Sequence, residues 1–598
     1  MMYRTSLVRS LYRTVGQFCK KPQYVCTSSR PSISLASHLS QRSYSVQATV
    51  NNDSGKAVKL QTVNDIFDAI PLKEEINYSL WVLEALSELP KAEQTIAVKD
   101  PKFLQIMDFL QQNLPEFAPP DVTKCLKFLM ILYPNDDPEI IKKMEDQIKQ
   151  VDSRMSVNQL YELVISHKAT QTTNLRKEVY KQAKENLFLR WTEVNEPGVL
   201  IGMMFMAEDQ VLPNLETKAL QLIEKMSQQQ IFSVLYFLCQ RKHRNKPLIR
   251  ALVFHLNNKG KELLLGPNKL VHLVRICAKL NIYDDVLLKR WSVAMYHHLV
   301  SDFQLSEVAT SSLVWSISAL RWHDPTLIDA LVKKVLVNDT GPSTDLLTSL
   351  FMMCATVNYM PHELRDSLPE LCKAFDKNFM IEKSRSFLEI VWSLAVLQAL
   401  NESRLPLNFI LGPEFQSKLK ASLPDAVYPA ACLKLMNINS EVKLNIPDYN
   451  DVLLPDDFLQ SNSIQIPVKK NRPLVDKAAV ALANMFPIEK FLKLDVQSPE
   501  GYLIDIEMLL NSAGKAQPVN SSNSNLQKLA IKVLDFSGMM LNTEDPVGRF
   551  KMMERHLSQN GYKVVMIPYH EIAEPQTTVK QVRYMQQKLD LSRPTASK

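Results

Sequence analysis

The side chains with the plainest chemical potential in this chain are cationic, and they cluster. Arg241-Lys242-His243-Arg244-Asn245-Lys246 puts four Lys and Arg residues into six positions, with Arg250 one helical turn further on. Cations at that density can neutralise successive phosphates of a polyanion, and such binding weakens with salt because each contact releases a counterion. A solvated inter-helix turn has the same composition. Arg275, Arg290 and Arg321-Trp322 fall at comparable places further along, and recurrence on one edge would turn a patch into a stripe. Near the C-terminus Lys551 and Arg555 stand at i and i+4 on one helix face, followed by Lys580, Arg583 and Lys588 on a last helix. These read either as solvated faces or as phosphate contacts.

Other chemistries find less support. None of the eight cysteines is spaced as C-x-x-C, so neither a zinc site nor a disulfide framework is expected, and buried thiols are. His556 and His570 lack a metal-ligand partner at readable spacing and are taken as structural; no metal and no cofactor is expected. Only 13 of 598 residues are glycine, far below the usual ~7%, and no G-x-G-x-x-G or G-x-x-x-x-G-K pattern occurs, which disfavours a phosphate cradle. Asp535-Phe536-Ser537-Gly538 imitates a kinase metal-binding triplet without a His-Arg-Asp loop, so protein-kinase chemistry is not expected. No window reaches the ~18 apolar residues of a membrane span.

The elements that must position these residues fall into two kinds. Residues 60–440 read as a helical array punctuated by Pro-, Asn- and Asp-bearing turns. Leu273-Val274…Leu280…Asp284 recurs as Leu313-Val314…Leu320…Asp324 and again as Leu350…Ala355…Pro361, pairing Trp315 with Phe351; Val391-Trp392-Ser393-Leu394 repeats Val314-Trp315-Ser316-Ile317 two periods on. Weaker copies lie near Leu129, Leu160 and Leu235. A period of about 38 residues is two helices and two turns, the unit of an α-solenoid. Trp315 and Trp392 sit in apolar stripes, where core packing is favoured over base stacking.

Beyond 440 the pattern changes. Residues 441–473 read as a Pro-bearing connector and 474–592 as a small α/β domain. Within it Leu474 to Lys493 reads as helix. Gly501 to Met508 alternates as a strand, with Tyr502, Ile504, Ile506 and Met508 facing one way and Asp505 and Glu507 the other. A strand at Leu529–Leu534, a helix start at Asn542–Pro546, a helix to Gln559, a turn at Gly561, a strand at Tyr562–Tyr569 and a basic helix at Thr578–Leu589 complete it.

The opposite end is a targeting signal by composition. Arg4, Arg9, Arg13, Lys20, Lys21, Arg30 and Arg42 precede the first acidic residue, Asp53, among many hydroxyl side chains. This predicts a mitochondrial transit peptide over 1–44, cut after Tyr44. The whole chain has a formal charge of +7, and these seven basic residues match it, so the mature chain is near neutral and polyanion contact must come from local patches.

Lys551…Arg555-His556-Leu557…Gly561-Tyr562…Ile567-Pro568-Tyr569…Glu571…Lys580…Tyr584…Lys588-Leu589 resembles the RAP domain that ends the FAST-kinase-domain-containing proteins. Those are mitochondrial RNA-binding proteins, helical arrays followed by a small α/β domain. The motif spans 526–589, and the repeats from about 270 onward fall where the family places its FAST modules. The resemblance implies single-stranded mitochondrial RNA as partner, together with other mitochondrial RNA-processing proteins, in the matrix and without a membrane span. RAP domains resemble the fold of PD-(D/E)-x-K nucleases, whose Mg²⁺ is held by an Asp and a Glu on neighbouring strands, with a Lys two residues later. Asp505 stands at the Asp position, with Glu507 nearby, but Lys532 occupies the Glu position and Leu534 the Lys position. A degenerate site is implied, with Lys532 pairing Asp505 or Glu507 across the strands and the domain kept for RNA contact.

The expectation is a mostly α protein, an α-solenoid with a C-terminal α/β domain. It binds single-stranded RNA through Arg241, Lys242, Arg244, Lys246, Arg275 and Arg321 on the array and through Lys532, Lys551, Arg555 and Lys580 on the RAP domain, acting in the stability, processing or expression of mitochondrial transcripts. A metal-dependent RNA endonuclease centred on Asp505 and a protein-scaffolding solenoid without RNA are the alternatives.

Overall fold

The computed structural model describes residues 49–51, 57–59 and, with short breaks, 62–589. The expected transit peptide and most of 456–471 in the expected connector lie outside the described residues. The chain is mostly helical, with a small C-terminal sheet, and divides into two units, residues 1–218 and 219–598.

The first unit packs amphipathic helices such as Ile76–Ser87, Pro119–Leu132, Val157–Lys168 and Asn174–Leu189 around Leu83, Leu86, Leu126, Leu129, Leu160 and Leu187. Its interior holds a buried ion pair, Arg176 Nε to Glu145 Oε1 at 3.0 Å.

The second unit begins with three helical hairpins: α1 (Gln228–Gln240) with α2 (Lys246–Asn258), α3 (Pro267–Leu280) with α4 (Asp285–Val300), and α5 (Glu307–Leu320) with α6 (Pro325–Leu336). Then come α7 (Thr344–Val357), α8 (Ser384–Val396) and α9 (Tyr428–Asn445). Each of α1, α3, α5, α7, α8 and α9 packs on the next, and α2, α4 and α6 form a second row. Local chemistry sets the ends. Ser227, Ser306 and Ser343 cap the starts of α1, α5 and α7, while Asn245, Asp284 and Asp324 cap α2, α4 and α6, each accepting a backbone N–H of its own first turn.

The helix stops are less ordinary. Lys242, Asn281, Arg321, Asn358 and Gln398 all adopt left-handed backbone, with φ between 49° and 54° at four of them and 55° at Arg321. Glycine usually takes that place because a Cβ is strained there. In every case the next amide turns back to the helix, as in His243 to Leu238 O, Ile282 to Cys277 O, Trp322 to Ile317 O, Tyr359 to Cys354 O and Ala399 to Leu394 O. These turns recur about every 40 residues and mark the repeat more sharply than the apolar pattern. They also set Met352, not Phe351, opposite Trp315. Successive turns touch: Arg244 Nη2 donates to Asn281 O at 3.1 Å, and a ring nitrogen of His323 lies 3.0 Å from Val357 O.

The C-terminal sheet has the order β1 (Leu492–Gln497), β2 (Leu503–Leu510), β3 (Gln527–Leu534), β4 (Tyr562–Pro568), with a short strand at Ala516–Gln517 beside β2. Neighbours are antiparallel except β3 and β4, which run parallel with Ala530 opposite Val564 and Leu534 opposite Pro568. Helix α10 (Arg472–Ala483) packs with the last helix, α12 (Thr578–Lys588), over a core of Ile506, Met508, Leu529, Ile531, Val533 and Ile567. On the other face lies α11 (Gly548–Gln559), whose Phe550 ring is 6.0 Å from Lys532 Nζ. Both faces of β2 are therefore buried. Two expectations need correction. Helix was expected through Lys493, but Leu492, Leu494 and Val496 pair with β2 as a strand. The helix start expected at Asn542–Pro546 falls at Gly548, because Pro546 bridges Met539 and the Asn542 side chain is engaged with His323.

The sheet is seated on the turns of the helical rows. Asn542 exchanges hydrogen bonds with the His323 backbone at 2.9 and 2.7 Å, and Leu541 N donates to Arg321 O at 3.1 Å. Gly548 comes so close that a Cβ there would lie 2.0 Å from Ala355 O.

Candidate nucleic-acid interface

The basic residues expected to act together meet different fates. Arg241, Lys242, Arg244 and Lys246 stay exposed around the turn after α1, as does Arg250. The Arg241 guanidinium sits 5.7 Å from the Phe237 ring centre. Arg275 is half-buried in mid-helix at the repeat position of Trp315, and Arg290 donates to Leu256 O, Asn257 O and Gly260 O at 2.7–2.9 Å, closing the end of α2. Arg321 occupies the repeat position of Lys242 but is turned into the C-terminal sheet. The expected stripe of Arg241, Arg275, Arg290 and Arg321 is thus not formed, because these arginines occupy different places in the repeat or are drawn into internal contacts.

Arg321 instead anchors a cluster the sequence reading missed. Its Nε donates to Met539 O at 2.7 Å, and its guanidinium lies 4.9 Å from the Phe536 ring centre. Nη2 is buried without an acceptor in hydrogen-bonding geometry among the described residues. Burial lowers the Arg321 pKa, opposed by Tyr283 and Asp535. Phe536 is 4.9 Å from the Tyr283 ring and 5.6 Å from the Tyr569 ring. Asp535 accepts from Ser537 Oγ at 2.7 Å, and the exposed Arg549 lies 4.8 Å from the Phe550 ring. Phe536 and Tyr569 follow the ends of the parallel strands β3 and β4, so register brings them together. The signal available in the sequence was an aromatic residue just past each strand.

The carboxylates at the nuclease-like positions are engaged by internal donors. Asp505 has no exposed surface; it accepts from Lys532 Nζ at 3.2 Å and from the Val533 amide at 2.8 Å. Lys532 also donates to Leu503 O at 2.9 Å, and Glu507 accepts from the Tyr562 hydroxyl at 2.9 Å. Among the described residues no group of three or more His, Cys, Asp or Glu could hold a metal ion. Lys532, expected on an RNA surface, is buried in this pair.

Arg555 is likewise internal. It donates to Ala395 O at 2.9 Å and to Glu441 Oε2 at 2.7 Å, while His556 joins Glu441 at 2.6 Å and the Tyr502 hydroxyl at 2.9 Å. Burial pushes the Glu441 carboxyl up, but the hydrogen bonds and charges of His556 and Arg555 outweigh it, leaving its pKa lowered. Lys551 is near Asp545 and Glu554 at 3.6 and 3.8 Å, Lys588 pairs with Glu571 at 2.9 Å, and Lys580 and Arg583 are exposed on α12. Trp392, expected in the core, is half-buried, its Nε1 bonded to Asn437 Oδ1 at 3.2 Å and Lys434 Nζ lying 4.7 Å from its ring.

Residues 432–518 match the FAST kinase-like protein subdomain 2 family, and residues 531–588 match the RAP domain. FAST kinase domain-containing protein 4 of Rattus norvegicus is 24% identical over 522 residues, covering 84% of this chain and 81% of that protein. Its Homo sapiens counterpart is 23% identical over 535 residues with the same coverage. FAST kinase domain-containing protein 3, mitochondrial, of Homo sapiens is 26% identical over 274 residues, 44% of this chain and 40% of that protein. The first match takes in α9 and the first strands, the second runs through β3 to α12, and the similarity to FAST kinase domain-containing protein 4 extends over most of the chain.

Proposed function

We propose that this chain is a mitochondrial matrix protein that binds single-stranded RNA and acts in the stability, processing or expression of mitochondrial transcripts. The carrying observation is the turn after α1, where Arg241, Lys242, Arg244 and Lys246 are all exposed at one end of the repeated left-handed turns. The RAP-domain match supports RNA as the polyanion, and relatives whose names include "mitochondrial" support the compartment. In this reading the helical rows act as an α-solenoid, and the sheet is a nuclease-like fold kept for contact. Lys580 and Arg583 extend the basic surface, and other mitochondrial RNA-processing proteins are partners. The buried Asp505–Lys532 pair supports binding over metal-dependent cleavage.

The test is binding of an unstructured RNA to Arg241→Ala/Arg244→Ala/Lys246→Ala across a salt series. Affinity should fall several-fold, and the slope of log affinity against log salt should flatten by about 2, at ~0.7 for each lost phosphate contact on a single strand. Unchanged affinity and slope would remove the turn from the interface.

A further inference from the structure

We infer that Tyr283, Phe536 and Tyr569, with Arg321 and Arg549 beside them, form a stacking platform for an unpaired base of single-stranded RNA. This rests on the RNA-binding reading and names a subsite within it. Open α/β sheets take ligands beyond the carboxyl ends of their parallel strands. Phe536 and Tyr569 stand there, side by side because Leu534 is in register with Pro568. Tyr283 reaches the same spot from the turn after α3, with its ring 4.9 Å from Phe536 and 39% of its surface exposed. Its hydroxyl donates to Asn281 Oδ1 at 3.0 Å, which holds the ring in place before any ligand arrives. An exposed ring with a fixed orientation can stack a base at small entropic cost.

The polar groups fit the same ligand. The Arg321 guanidinium lies 4.9 Å from the Phe536 ring centre and beside the Tyr283 hydroxyl, so a positive charge backs the rings from within. Arg549 keeps accessible surface next to Arg321, although the surrounding atoms desolvate its guanidinium and lower its pKa, Asp535 opposing this and the Arg321 charge adding to it; an approaching phosphate would relieve that repulsion. Asp535, half-buried on the strand end, is an acceptor suited to a base amino group or a ribose hydroxyl. The basic turn leads to the platform directly, since Arg244 bonds the carbonyl of the Asn281 whose side chain holds Tyr283. Stacking of this kind accepts any base, so the site contributes affinity rather than a sequence code.

The test uses the full chain, a fluorescent unstructured RNA and an abasic strand of equal length. Tyr283→Leu/Tyr569→Leu should bind the RNA roughly tenfold more weakly, with an unchanged salt slope and unchanged affinity for the abasic strand. Tyr283→Trp/Tyr569→Trp should bind RNA as the parent does. Equal losses on both strands, no loss on either, or a Trp variant as weak as the Leu variant would assign the rings to packing and overturn the platform. If the Leu variant does not fold, 2-aminopurine placed along the RNA decides: quenching on the parent chain supports stacking, and its absence at every position refutes it. Should the Arg241/Arg244/Lys246 variant weaken binding while both Tyr variants match the parent, the platform falls and RNA binding stands. A parent chain that binds neither strand sinks both.

Discussion

Asp505→Ala separates a structural carboxylate from a catalytic one. In the native chain the carboxylate has no exposed surface and receives Lys532 Nζ at 3.2 Å and the Val533 amide at 2.8 Å. Its removal leaves the Lys532 ammonium buried beside the Leu503 carbonyl and the Phe550 ring without its counter-charge. Breaking a buried pair from one side costs about 3–5 kcal/mol, since the surviving charge stays out of water. That is roughly two to four powers of ten in the unfolded population. Asp505→Leu with Lys532→Met removes both charges and should recover most of the loss, because replacing a whole buried pair by apolar groups is close to neutral. Urea unfolding measures the cost, and hydrogen exchange of the peptide over 527–534 locates it at the Val533 amide. Labelled RNA incubated with Mg²⁺ should show the same cleavage background with and without the substitution. Mg²⁺-dependent cleavage that disappears in Asp505→Ala at an unchanged urea midpoint would refute the reasoning and restore the endonuclease.

Three further outcomes follow from the seating of the sheet and from the helical rows. Glu441 has a lowered pKa in the folded chain, so its contribution to stability is present above the ordinary 4.5 and is lost as pH falls through the lower folded value; Glu441→Gln should reduce the urea midpoint at about pH 7 and flatten its decline on the acid side. Gly548→Ala places a Cβ 2.0 Å from Ala355 O and 2.8 Å from Val396 Cγ1, which should cost about 1–3 kcal/mol in the same assay; a parent-like midpoint would mean that α11 does not bear on α7. Burial pushes the Cys277 and Cys354 thiols up to about 12, so iodoacetamide at about pH 8 should leave both unmodified until urea unfolds the chain, while the half-buried Cys239, where Lys279 and Arg275 oppose the effect of burial, reacts before these two by mass spectrometry.

Helix and strand were legible wherever the cause is local. The alternation of Tyr502 to Met508 and the apolar run at Leu529–Leu534 encode their strands within a few residues. Asp284 and Asp324, each before an apolar helix, locate the second helices of two hairpins. The helix stops were illegible for a physical reason. A left-handed position is recognised by glycine, and here Lys242, Arg321 and Gln398 hold it at the cost of backbone strain, kept in place by the returning amide of the next residue. Strand β1 was hidden because Leu492, Leu494 and Val496 follow a helical run after only a short break, and an alternation that brief does not outweigh the pattern before it.

The site was less legible because charge alone does not say what meets it. Arg321 and Arg555 looked like surface cations, but the atoms that receive them, Met539 O and Glu441 Oε2, lie 218 and 114 residues away in sequence. A turn rich in cations can hold a polyanion or the carbonyl-rich rim of another part of its own chain, and both use the same donors. In this chain the later turns go to the second use: Arg321 to Met539, His323 to Asn542, Ala355 against Gly548 and Ala395 against Arg555. The turn after α1 keeps its cations exposed, with Arg244 also bonded to Asn281 O. Seating the sheet therefore removes some cations from the edge and, in the same step, sets Tyr283 beside Phe536 and Tyr569. The edge that remains combines charge at its first turn with aromatic surface at its second, and that combination suits a single strand, whose bases are free to stack, better than a duplex, whose bases are not.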